Sequence, residues 1–318
     1  MKRLPRPRRS LWLVLGLVIG GLATAATLAV AGLQPADLNF TPNSEAQMTN
    51  IDVGRAWAKN FYGAHTATSG PGGTWATPLN LQSNYANEAS SVAAQGENWL
   101  AARSRVPHRA IVLDVDDTTL TTWNYELYSN WDFNPTTNAQ FVGLTSGAFT
   151  GNAFPPTPGM LDLANRANAL GYAIFWITGR GDSQHAATIA NLVNDTAAGL
   201  PNLDTVTISG QTIPEVDANY VAPTPIDIGH GGFTDGLFTK PPIGSYPAYL
   251  DTPEFCGPFI HATPPASCPT IQYKSGTRAY IESQGYDIVG DFGDQFSDLE
   301  GGFANKTFKM PNPNYYLS

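Results

Sequence analysis

Charge is scarce in this chain. Of its 318 residues only 14% are Asp, Glu, Lys or Arg, while 42% are hydrophobic and 11% aromatic. Enough apolar material is present to bury a large core, which excludes disorder throughout. The 31 glycines and 25 prolines argue for long irregular connections and against a helical bundle. No G-x-x-x-x-G-K-[ST] loop occurs, which argues against a nucleotide-driven kinase or ATPase. Cysteine is rarer than any of these, with two residues, Cys256 and Cys268. Neither lies near the N-terminus, so that end offers no cysteine for a lipid anchor.

Basic residues are few and unevenly placed. Lys2, Arg3, Arg6, Arg8 and Arg9 precede an apolar run from Leu11 to Ala31, the layout of an export signal, with Ala29-Val30-Ala31 as an A-x-A cleavage site. Arg8-Arg9-Ser10-Leu11-Trp12-Leu13 weakly resembles a twin-arginine signal. The run is also long enough to serve as an uncleaved membrane anchor. Residues 1–31 are therefore read as export signal or anchor, 32–50 as a linker and 51–318 as the folded domain. Without the leader, 12 Lys and Arg face 26 Asp and Glu, a balance near −14. Such a surface repels nucleic acid, and an anionic substrate could bind it only through local cations. In an exported protein Cys256 and Cys268 read as one disulfide; two free buried thiols are the alternative.

Two helices are expected first, Asp52 to Tyr62 and Asn84 to Arg105, the second closed by Pro107. Val53, Trp57, Phe61 and Tyr62 recur near helical spacing in the first, and both helices read as a packing appendage. The stretch Ala110-Ile111-Val112-Leu113 is apolar at every position, the pattern of a parallel strand buried on both faces. Asp114, Asp116 and Asp117 follow it at once, with Thr118 next. Carboxylates concentrated at a buried strand's end are costly unless a cation or hydrogen bonds hold them, and strand C-termini are where open α/β sheets bind ligands.

The segment 123–154 has no sustained period and is rich in aromatics (Trp123, Tyr125, Tyr128, Trp131, Phe133, Phe141), which suits a small cap over the strand ends. A helix is expected over Met160 to Leu170, then a second buried strand, Tyr172 to Arg180, delivering Thr178, Gly179 and Arg180. A hydroxyl, free amides and a guanidinium suit an oxyanion such as phosphate. A helix over Asp182 to Thr196 continues the strand–helix alternation of a doubly wound parallel sheet. Residues 199–270 read as a Pro- and Gly-rich surface insertion with short strands at Thr205 to Ser209 and Ile226 to Ile228. His230 and His261 there have no partner at metal-ligand spacing. Lys274 then precedes a helix over Thr277 to Gln284, and a third strand, Tyr286 to Gly290, runs into Asp291, Asp294 and Asp298.

Asp114-Val115-Asp116-Asp117-Thr118, Thr178, Lys274 and Gly293-Asp294 with Asp298 form an ordered set that resembles the haloacid dehalogenase (HAD) superfamily of phosphotransferases. Within it the chain is most similar to the acid phosphatases that include plant vegetative storage proteins and the bacterial secreted class B and class C enzymes. The residues carrying this are Thr178-Gly179-Arg180, Tyr273-Lys274-Ser275 with Arg278, Gly293-Asp294-Gln295 with Ser297-Asp298-Leu299, and the terminal Phe308-Lys309-Met310-Pro311-Asn312-Pro313. The resemblance implies a Rossmann-like sheet of the HAD type and hydrolysis of a small phosphomonoester through an aspartyl phosphate. It implies Asp114 as nucleophile, Asp116 as acid and base, and Thr178, Gly179, Arg180 and Lys274 on the phosphate. It also implies Mg²⁺ held by Asp114, Asp294 and the backbone carbonyl of Asp116, with Asp298 behind the metal or Lys274 and Thr118 closing the nucleophile loop. Asp117 and Asp291 are weaker candidates, for which solvation or a structural hydrogen bond is expected. A weakly active storage protein and a phosphotransferase on the same fold are the alternatives.

Overall fold

The computed structural model describes residues 44–45, 50–63, 74–76, 78–229 and 232–316. The leader at 1–31, most of the linker at 32–50, the glycine-rich break at 69–73 and His230 lie outside the described residues. Everything below belongs to the unit Ile51–Ser318.

In chain order the elements begin with α1 (Ile51–Phe61), α2 (Asn84–Ala102), β1 (Arg109–Leu113), α3 (Trp123–Ser129), α4 (Pro135–Val142), the hairpin β2 (Leu144–Thr145) and β3 (Ala148–Phe149), α5 (Met160–Ala169) and β4 (Ala173–Gly181). A 3-10 turn at Asp182–Gln184 leads into α6 (His185–Leu192). Two further hairpins follow, β5 (Thr205–Ile208) with β6 (Gln211–Pro214), and β7 (Ile226–Gly229) with β8 (Gly232–Thr234). The chain closes with β9 (Leu237–Lys240), α7 (Gly257–Ile260), α8 (Thr270–Ser283), β10 (Asp287–Gly293), α9 (Phe296–Leu299) and β11 (Thr307–Lys309).

Five strands form one sheet in the order β11-β10-β1-β4-β9, every neighbouring pair parallel. β1 sits at the centre, and its all-apolar run is explained by burial on both faces. Ile111 and Leu113 join the cluster that contains Leu100 of α2 and Leu163 of α5; Ala110 and Val112 join the one that contains Tyr273 and Ile281 of α8. The result is three layers, helix on sheet on helix. Ser83 starts α2 by accepting from the Ala86 amide at 3.1 Å. Gly96 lets α2 come close: a Cβ there would stand 2.5 Å from Phe292 and 2.7 Å from Leu163.

Several expectations are corrected. The segment 123–154 is not irregular, since it folds into α3, α4 and a short hairpin. Each piece is too short to show a period in sequence. Lys274 lies inside α8 and not ahead of it. The helix expected over 182–196 is broken into a 3-10 turn and the shorter α6. The short strands expected near 205 and 226 are present as β5 and β7, but the 199–270 segment is more than a surface insertion, because it also returns β9 to the edge of the main sheet. Tyr62 at the end of α1 is buried in a stack between Tyr85 and Trp123, at 4.1 and 4.0 Å between ring centroids. Val53 and Trp57 are exposed, so α1 packs through its C-terminal end.

Candidate active site

The carboxyl ends of β1, β4 and β10 bring the sequence-predicted residues together. Asp114 is the first residue beyond β1, and its amide donates to the Phe292 carbonyl of β10 at 2.9 Å. The loop after it is tied down from three sides. The Thr119 and Leu120 amides donate to the Val115 carbonyl, and the Thr119 hydroxyl donates to the Asp114 carbonyl. Asp117, at φ 53°, accepts from the Thr122 amide at 2.9 Å and hydroxyl at 2.5 Å. Asp117 is therefore structural, as expected, and burial pushes its carboxyl up to about 6. Thr118 does not close this loop; its hydroxyl reaches across to Asp294 at 3.2 Å. Asp117 and Thr119 close it instead.

Lys274 projects from α8 and donates to Asp114 and to Asp298, the latter at 2.7 Å. All three side chains are buried. Burial alone would drive the ammonium toward neutrality, but the two carboxylates outweigh it and hold Lys274 firmly charged. Burial acts the opposite way on Asp114, pushing its carboxyl up to about 7 against the pull of Lys274. Asp298 also caps its own helix, accepting from the Gln295 amide at 2.8 Å. Asp294 is pushed well up, by burial first and then by the charges of Asp298 and Asp114. Two amides hold it, Gln295 Nε2 at 2.5 Å and Asn312 Nδ2 at 2.7 Å.

Asp116 points elsewhere. Its carboxylate is gripped by Arg180, with Nη2 at 2.6 Å and Nε at 3.0 Å, and Nη1 of the same guanidinium rests on Thr188 at 3.1 Å. From the sequence Arg180 is expected on phosphate; in the structure its fork is taken up by Asp116. Thr178 is buried, and its hydroxyl accepts from the Arg180 amide at 3.1 Å. Gly179 is exposed beside it, with no heavy atom within 4 Å of where a Cβ would stand, so the backbone there is open to a ligand. Asp291, by contrast, does not line the cavity; it lies 3.2 Å from the Arg278 guanidinium, and burial pushes its carboxyl up to about 7.

Asp114, Asp294 and Asp298 offer one oxygen each within 4.8 Å of one another. Three buried carboxylates balanced by one lysine leave negative charge that needs a counterion, and an all-oxygen donor set suits a hard divalent cation. The residues therefore fit a divalent metal. The Asp116 carboxylate is outside this trio. The acidic trio, Asp116, Arg180, Lys274, Thr178 and Gly179 open to one cavity of about 600 Å³, whose other wall is formed by α3, α4 and their connection, including Tyr125, Glu126, Trp131 and Phe133. The Gln295 and Asn312 amides were given no role from sequence. Both stand in runs quoted above for the family resemblance, but a neutral amide carries no signal of which carboxylate it will hold.

Fold and site together define a doubly wound α/β protein with a buried acidic centre at the carboxyl ends of its parallel strands. The model of the HAD superfamily, subfamily IIIB (acid phosphatase), matches residues 74–212 and 263–318. The chain belongs to that family. Among curated relatives it is 47% identical over 55 residues to the stem 28 kDa glycoprotein of Glycine max, covering 17% of this chain and 22% of the relative. It is 48% identical over 46 residues to acid phosphatase 1 of Solanum lycopersicum, covering 14% and 18%. The chain thus matches about a fifth of the length of these relatives. A class C acid phosphatase structure from Bacillus anthracis superposes with a TM-score of 0.41 at 19% identity, covering 73% of this chain and 80% of the other.

Proposed function

We propose that this chain is a Mg²⁺-dependent hydrolase of phosphomonoesters, working through a phosphorylated Asp114. The observation that carries the reading is the setting of Asp114, a buried carboxylate at the end of the central strand, in contact with Lys274, beside Asp294 and Asp298, and open to the cavity. A nucleophile must face the phosphorus, and one that also needs charge compensation suits this position.

Asp114 attacks phosphorus and the bond to the leaving oxygen breaks. Asp116, two residues on and held by Arg180, gives that oxygen a proton and later takes one from the water that releases phosphate. Lys274 and Thr178, with the open backbone at Gly179, hold the non-bridging oxygens, and their fixed positions provide electrostatic stabilisation. Asp114 and Asp294, with the Asp116 carbonyl, would hold Mg²⁺, and Asp298 would orient Lys274 behind them. Bound there, the ion would supply charge neutralisation between the nucleophile and the phosphoryl group. Arg180 acts as a positioning residue for Asp116. Export is supported by the basic and apolar leader and by the pairing of Cys256 with Cys268. Residues 51–318 are the catalytic domain.

The test is phosphate release from p-nitrophenyl phosphate at acidic pH with Mg²⁺, with chelator, and by Asp114→Asn. Release is expected with Mg²⁺, with a loss of at least about a hundredfold in chelator and about a thousandfold in the variant. Equal rates in all three would overturn the mechanism.

A further inference from the structure

The cap supplies one wall of the cavity, and the chemistry proposed above uses none of it. Glu126 of α3 sits on this wall, only 7% exposed. Its carboxyl group forms no hydrogen bond and no ion pair with any described residue. The two cations that line the same cavity are occupied, Arg180 by Asp116 and Lys274 by Asp114 and Asp298. A buried carboxyl group without a partner is unfavourable, and it is retained most readily where a ligand completes it. Burial, with the negative charge of Asp117 added, pushes it up to about 8. The protein alone thus holds it neutral, and a positive charge brought from outside would favour its ionised form.

Three aromatic side chains, Tyr125, Trp131 and Phe133, line the same cavity as this carboxyl. Tyr125 and Phe133 meet edge to face, with centroids 6.3 Å apart. Trp131 is placed by a strained turn: Asn130 and Trp131 take φ values of 55° and 63°, a conformation a bulky side chain rarely adopts. Such strain persists where the surrounding structure enforces it, and it gathers at ligand sites. Here the Trp131 Nε1 donates to Asn314 at 3.3 Å and fixes the ring. An unpartnered carboxyl that shares its cavity with aromatic rings and with an excess of carboxylates is complementary to an organic cation.

We propose that the cap wall recognises a cationic leaving group, so that the preferred substrates are phosphomonoesters of amino or quaternary ammonium alcohols, with Glu126 pairing the cation amid Tyr125, Trp131 and Phe133. This rests on the hydrolase reading above and names its substrate class. Glu126 is a specificity residue and takes no part in the bond-making steps.

The test compares phosphocholine with its uncharged isostere, 3,3-dimethylbutyl phosphate, and with phenyl phosphate, using the full chain with Mg²⁺. The expected kcat/KM for phosphocholine is at least about tenfold above that for the isostere, carried mainly by KM, and Glu126→Gln brings the ratio close to one. An isostere that is turned over equally well overturns the proposal. So does a ratio unchanged in Glu126→Gln, and so does a preference for phenyl phosphate, which would mark an aryl leaving group. Choline alone, titrated against tryptophan fluorescence, needs no turnover. Saturable quenching, weakened about tenfold in Glu126→Gln, supports the cation site, and its absence from the wild type overturns it. Failure to hydrolyse any of the three esters would count against the hydrolase reading, while the choline titration would still decide the cation site.

Discussion

Thr119 bears no charge and does not line the cavity, yet its hydroxyl joins two groups that would otherwise be stranded. It donates to the Asp114 carbonyl and accepts from the Trp176 indole at 3.1 Å, and all three residues are buried. Thr119→Val keeps the shape and removes both bonds, leaving a buried donor and a buried acceptor unmet. Each unmet group costs about 1–3 kcal/mol, so urea unfolding should show a loss of about 2 kcal/mol or more. Thr119→Ser, which keeps the hydroxyl, should lose much less. Equal losses in the two variants would mean that packing of the methyl group, and not the hydrogen bonds, is what matters. The same residue marks the limit of what the sequence discloses at this scale. Asp114, Thr178 and Asp294 are legible because charged or hydroxyl residues at the ends of apolar strands are conspicuous, whereas Lys274, inside α8, is legible only through the family resemblance. The division of labour between Thr118 and Thr119 is not, because it depends on which way two adjacent side chains turn inside one tight loop. The Arg180–Asp116 pair is hidden for the same reason: a guanidinium suited to phosphate is equally suited to a carboxylate.

At the scale of elements, the inner strands of the central sheet and α2 are legible, α8 only in its C-terminal half, and the cap is not. β1, β4 and β10 are apolar runs that end in polar residues, and α2 extends over 19 residues. α3 and α4 have 7 and 8 residues, about two turns each, and their apolar positions are set by packing against neighbouring rings and not by a repeat. Glu126 is the clearest case, since a glutamate in a short helix reads as solvent-facing. Its burial has a consequence for stability. Below its ordinary value near 4.5 the group is protonated in both folded and unfolded chains and contributes nothing. Between 4.5 and about 8 the folded chain keeps a proton that the unfolded chain has released, so stability falls as pH rises; above 8 the full penalty remains. Glu126→Gln should therefore be nearly neutral at pH 4.5 and more stable than the wild type at pH 8.5, by up to a few kcal/mol. Thermal melting at the two values checks this, and a difference that does not change with pH would contradict the burial.

For the whole molecule, the least legible feature is how the 199–270 segment is built into the fold. Its proline and glycine content reads as surface, and β9, with 4 residues, is too short to announce itself as the fifth strand of the main sheet. Beyond β9 the segment packs on α8, the helix that carries Lys274. A Cβ on Gly276 would stand 2.7 Å from Leu250 and 2.9 Å from Phe255, so this contact needs glycine's bare backbone. The disulfide Cys256–Cys268, 12 residues apart in sequence, closes the loop next to that contact and ends just ahead of α8. Closing so short a loop should contribute about 3 kcal/mol or less, mainly by restricting the unfolded chain. The double variant Cys256→Ser/Cys268→Ser should then unfold at lower urea by that amount. Below its transition it should still release phosphate, because the bond restrains the segment and touches none of the residues around Asp114. In the unmodified protein neither thiol should react with an alkylating reagent until a reductant is added. Alkylation of both without reductant would show that the bond does not form. Loss of activity in the double variant under conditions where it remains folded would show that the segment sets the position of α8, and through it of Lys274.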